Sequence, residues 1–139
     1  MKKWRACLLV FVIPLLLADT CKKNDVTPCF DLKKLEQRWA NAYILVQHYD
    51  ANNKIFGSYM MHPVGTFVLK SNGSYRVVSD DVPLDGKWQI GYPDCKITLD
   101  NGTDDKRTFV IEKLSNDSLI ISRKDTLNMV VYIQHYLRN

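Results

Sequence analysis

From Trp39 onward, apolar and polar residues alternate with a period of two, and turn residues interrupt the alternation at short intervals. In "TFVLKSNGSYRVV", Phe67 and Leu69 share a face, Asn72-Gly73 supplies a tight turn, and Tyr75 and Val77 resume the same side. "GKWQIGYPDCKITLDNG" repeats the scheme with Trp88 and Ile90, a turn across Gly91 to Asp94, then Ile97 and Leu99. "KRTFVIEKLSNDSLIISRKD" gives Phe109 and Ile111, a turn near Asn116-Asp117, then Leu119 and Ile121. The last run, "TLNMVVYIQHYLRN", sets Leu127, Met129, Val131 and Ile133 on one face against Asn128, Val130, Tyr132, Gln134 and Tyr136 on the other, and Met129 and Val131 are assigned to the interior. A first strand over residues 40–50 and a short one over 58–62 bring the expected total to eight or nine, linked mainly as hairpins.

No helical segment of useful length separates these strands, so parallel βαβ units are excluded and the fold class is all-β. An antiparallel meander must deal with its two edges; closing into a barrel removes them, and a sandwich is the competing arrangement. In "DLKKLEQRW", Asp31 is placed to cap a short helix whose Leu32 and Leu35 share a face. Two turns of helix do not stand alone, so this piece is expected to close one end of the strands. The inward set is mostly large. An eight-stranded barrel is just wide enough to be filled by its own side chains or to hold one small ligand, and both outcomes stay open here.

Taken in order, "LEQRW" leading into the first strand, "GTFVLKSNGSYRV", "GKWQI" and "LSNDSLIIS" resemble the lipocalin-like domains of small Bacteroidetes-type lipoproteins, over about residues 32–139. The resemblance implies an eight-stranded up-and-down barrel over residues 31–139, preceded by a short helix, with an apolar cavity for a small hydrophobic ligand. In lipocalins a Gly-x-Trp on the first strand places its tryptophan at the barrel bottom; Trp39 matches that tryptophan, with Gln37 where the glycine stands. Gly86-Lys87-Trp88 fits the triplet in a middle strand. Tyr43, Tyr75 and Trp88 are the candidate ligand contacts.

Ahead of this region, "MKKWR" is basic, Cys7 to Leu17 is apolar, and "ADTC" is a boundary. Eleven apolar residues make a helix of about 16 Å, half of a ~30 Å hydrocarbon layer, so the pattern reads as an export signal over residues 1–20. "LADTC" resembles a loose lipobox, which would make Cys21 the lipidated residue and residues 21–30 a tether. The alternative is a simple cut near Ala18 or Thr20 with Cys21 kept in the mature chain. Cysteine parity separates the two: lipidation of Cys21 leaves Cys29 and Cys95 as an even pair, whereas its retention leaves an odd thiol in an oxidising compartment. Cys29 and Cys95 then either form a disulfide or stay as two buried thiols.

The chain has 139 residues, 46% apolar and 24% charged, which is one ordinary globular domain with a short appendage. Its net charge of +4 belongs largely to the leader: without residues 1–21 there remain 16 basic and 14 acidic side chains. That balance argues against a nucleic-acid partner. His48, His62 and His135 lie in no short metal-ligand spacing, so neither metal nor cofactor is expected. "QHY" occurs at 47–49 and again at 134–136, on first and last strands that a closed barrel would make neighbours, so two histidines could approach; the other reading is two half-exposed strand residues. There is no Gly-x-Ser-x-Gly elbow, and Asp80-Asp81 and Asp104-Asp105 read as solvated turn residues. "DSL" and "DTL" resemble an O-glycosylation pattern on Ser118 and Thr126. The expectation is a non-catalytic envelope protein, lipid-anchored to the outer membrane with its periplasmic or surface face undecided. Its barrel either sequesters a small apolar ligand or, packed solid, serves as a subunit that contacts envelope proteins.

Overall fold

The computed structural model describes residues 29–79, 81–100, 102–104 and 106–139. Near its start, the Asp31 carboxylate accepts a hydrogen bond from the Lys33 backbone N–H and caps a single helical turn, α1 (Leu32–Leu35). The strands follow as β1 (Arg38–Tyr49), β2 (Ile55–Met61), β3 (Gly65–Leu69), β4 (Ser74–Ser79), β5 (Val82–Gly91), β6 (Lys96–Asp100), β7 (Arg107–Leu114), β8 (Ser118–Asp125) and β9 (Val130–Arg138). All ladders are antiparallel, and the order β2-β1-β3-β4-β5-β6-β7-β8-β9 is closed by a β1–β9 pairing. The result is an eight-stranded closed barrel with β2 outside the ring, not a sandwich.

β1 makes this possible because it is long enough to serve three partners. Its first residues, Arg38, Trp39 and Ala40, pair with Val68, Phe67 and Thr66 of β3. From Ile44 to Tyr49 the same edge pairs with β2, while the opposite edge runs along β9 from Trp39 to His48. β2 therefore extends the sheet beyond the ring, with Phe56 72% exposed and Tyr59 and Met60 about half exposed.

One end of the barrel is packed solid. Leu35 and Trp39 are fully buried, and the Trp39 indole N–H donates to the Leu35 carbonyl at 3.1 Å, so the ring fills space without leaving a polar atom unpaired. Leu69, Ile97, Ile111 and Leu119 complete this layer, with Phe30 packed against it. A disulfide between Cys29 and Cys95, Cα atoms 5.8 Å apart, fastens the N-terminal arm to the β5–β6 turn at this same end.

The alternation places Phe67, Leu69, Tyr75, Ile97, Leu99, Phe109, Ile111, Leu119 and Ile121 in the interior, as expected from their spacing. β9 corrects the expectation: its inward face carries Gln134 and Tyr136, not Met129 and Val131. Met129 sits in the β8–β9 turn with φ +52°, 44% exposed, and Val131 faces outward beside Gln47 and Lys124. The register explains the choice, because the buried Leu119 and Ile121 of β8 stand directly opposite Tyr136 and Gln134, and opposed residues share a face.

Replacing both Cys29 and Cys95 by serine opens a loop spanning a sequence separation of 66. The chain-entropy model predicts a loss of ~4 kcal/mol in unfolding free energy. Urea unfolding checks the loss, and far-UV circular dichroism of the folded variant should keep its strand signature because no ladder runs through the bond.

Candidate functional site: an apolar cavity at the open end of the barrel

Above the Trp39 layer the interior changes from filled to hollow. Four aromatic rings line the wall, with Phe67 edge-on to Tyr75 at 6.3 Å and tilted against Tyr136 at 5.6 Å, and Phe109 on β7 completing the set. Gly86 lies directly across the ladder from Tyr75, and a Cβ there would stand 2.6 Å from a Tyr75 ring carbon. The missing side chain is what lets the tyrosine ring lie against β5. Between these rings and the aliphatic Ile44, Val77, Leu99 and Ile121 is a cavity of about 200 Å³. Pro63, Ser79, Leu84 and Arg107 line it toward the rim opposite α1.

Two amide side chains interrupt the apolar wall. The Tyr136 hydroxyl donates to Gln134 Oε1 at 2.6 Å, and burial pushes the Tyr136 phenol well above the usual tyrosine range. Tyr136 therefore remains a neutral donor, and Gln134 its acceptor, at all physiological pH values. Asn41 lies across the ladder from Tyr136 and also lines the cavity. Its Oδ1 is buried and has no hydrogen-bond partner among the described residues. Its amide nitrogen lies 3.3 Å from where a Cβ on Gly65 would stand, so that glycine leaves room for the amide between β1 and β3.

A bulge between Asn41 and Tyr43 accounts for which β1 residues look inward. Ala42 has no partner on β9, and the extra residue shifts the alternation from Trp39 and Asn41 to Ile44. Tyr43, one of the candidate ligand contacts, is consequently outside, stacked on the His135 ring at 4.0 Å. Of the other two candidates, Tyr75 lines the cavity, whereas Trp88 packs at the solid end with its indole N–H donating to the Lys70 carbonyl. Trp39 forms the floor. Cys21 lies outside the described residues.

The two histidines of the repeated "QHY" do not meet. His48 pairs with Val130 and His135 with Tyr43, on opposite faces of the β1–β9 ladder. His62 reaches only the edge of the Tyr43 ring, at 6.4 Å between centroids. Among the described residues, no three His, Cys, Asp or Glu side chains form a group able to hold a metal ion. Asp81 and Asp104 are exposed in turns, Thr126 is exposed in the β8–β9 turn, and Ser118 is half-buried at the start of β8.

Sequence reasoning missed Asn41, Gln134 and Arg107. Asn41 is in step with Trp39, but a lone polar residue on a strand gives no apolar signal for the lumen, and assigning Met129 and Val131 to the interior leaves Gln134 outside. Over residues 130–137 each face carries one polar side chain, Gln134 with Val130, Tyr132 and Tyr136, and His135 with Val131, Ile133 and Leu137, so composition does not choose between them.

No family model matches the chain, and no curated protein matches it. Among solved structures, the barrel is similar to the crystal structure of a lipocalin-like protein from Bacteroides uniformis, with a TM-score of 0.50 and 15% sequence identity, covering 76% of this chain and 99% of that one. The fold is lipocalin-like. In that frame the Trp39 layer is the closed bottom of the barrel and the aromatic cavity lies above it.

His135 yields a pH prediction. Burial against the β1–β9 sheet holds its folded-state pKa below the unfolded value of about 6.5, so the unfolded chain takes up a proton before the folded one does. The stabilisation is whole above pH ~6.5 and is lost as pH falls from there through the folded-state pKa. Urea midpoints at pH 7.5 and 5.5 should differ in that direction, and His135→Gln should reduce the difference.

Proposed function

We propose that this chain is a non-catalytic binding protein of the cell envelope, held to the outer membrane by lipid on Cys21, whose barrel sequesters a small hydrophobic molecule. The observation that carries the binding reading is the cavity of about 200 Å³ walled by Phe67, Tyr75, Phe109 and Tyr136. Protein interiors close-pack, and a hollow of this size is maintained against the tendency of large side chains to collapse into it. Concave, mostly apolar sites with a few convergent polar groups are where small ligands bind, and Asn41 and Gln134 supply such groups. The lipocalin-like fold supports the same role. The hollow above the Trp39 layer favours this reading over the assembly-subunit one, which starts from a solid interior. The anchor rests on the apolar leader, the boundary "LADTC" and the cysteine count.

Native mass spectrometry of the protein purified from its own cells tests the binding. A retained small molecule is expected, and Val77→Trp, which fills the cavity from β4, should abolish its retention. Retention of a polypeptide alone, or an unchanged adduct in Val77→Trp, would overturn the cavity as the site. Anchoring is tested apart from binding by phase separation in a nonionic detergent: wild type is expected in the detergent phase and Cys21→Ser in the aqueous phase.

A further inference from the structure

The cavity is small, aromatic-walled and carries a buried acceptor that has no partner among the described residues. A cavity of about 150 Å³ accommodates benzene, so the 200 Å³ here has room for one ring and a few further atoms. It is below the ~300–1,000 Å³ of sites that enclose larger ligands, and a long acyl chain does not fit inside it. Its rings already pack edge-on and tilted with one another at 5.6–6.3 Å, the geometry that a further aromatic ring would continue.

Polarity narrows the class. Tyr136 spends its proton on Gln134, so that pair is internally matched. Asn41 Oδ1 is buried without a donor among the described residues, and buried acceptors are rarely left so. What complements it is a donor on the occupant.

We propose that the occupant is a neutral single-ring aromatic carrying a hydroxyl, with that hydroxyl donating to Asn41 Oδ1 and the ring lying among Phe67, Tyr75, Phe109 and Tyr136. This rests on the carrier reading above and deepens it. Two alternatives fit this site less well. A plain hydrocarbon ring leaves the Asn41 oxygen unpaired, and a long acyl chain would leave most of its length outside the cavity.

Isothermal titration calorimetry on the purified full-length protein tests this with p-cresol, toluene and palmitate as probes. The expected result is p-cresol bound on the order of tenfold more tightly than toluene, the worth of one hydrogen bond. Asn41→Leu should erase that preference while toluene still binds, which shows that the variant keeps its cavity. Equal binding of p-cresol and toluene by wild type overturns the Asn41 anchor and leaves the carrier reading standing, and this comparison needs no variant. Binding of palmitate alone overturns the single-ring class and likewise spares the carrier. Failure of all three probes overturns the proposal, and if the native spectra also lack a small molecule the carrier reading falls with it.

Discussion

The architecture depends on one strand having two satisfied edges. β1 hydrogen-bonds along β9 on one side and is shared between β3 and β2 on the other, so the sheet has no open end within the ring. Were β1 withdrawn, β3 and β9 would each present a row of unpaired backbone groups, and the interior would lose its floor, because Trp39 sits on the same strand. The bulge at Ala42 lies within this closure. It places Asn41 and Ile44 on the inner surface three positions apart where strict alternation permits only even separations. Closing the barrel and setting the polarity of its lumen are thus achieved by the same few residues.

The interior divides along the barrel axis into two regimes. At the α1 end, Leu35, Trp39, Leu69, Ile97, Ile111 and Leu119 fill the cross-section, and the cross-link between Cys29 and Cys95 braces it from outside. At the other end, aromatic side chains stand around a hollow instead of across it. Gly86 is a local cause of this difference, since without a Cβ it lets the Tyr75 ring sit close to the wall. Dense packing and the cross-link thus lie at one end and the cavity at the other.

The strands were legible because their alternation is regular and their turns carry Asn-Gly and Asn-Asp, which leave few ways to pair β3 with β4 or β7 with β8. The closure of β1 on β9 followed from the need to remove edges. The site was only partly legible. Tyr75 belongs to a hairpin with unbroken alternation, and its inward position could be read by counting. Tyr43 could not, because a bulge leaves no mark in the hydrophobic pattern when the extra residue is an alanine. On β9 both faces are apolar, Val131 and Ile133 against Tyr132 and Tyr136, and only the pairing with β8 decides between them. Trp88 was read correctly as facing inward, but its height along the axis is a three-dimensional quantity that period-two reasoning does not contain.

The bond from Cys29 to Cys95 has a directional consequence. It holds Cys29, the first described residue, at the bottom of the barrel, with the lumen opening at the opposite pole. Any surface to which the N-terminal arm is fastened would therefore see the sealed base. Under the proposed anchoring and binding, the mouth of the cavity would face the surrounding medium and not the support.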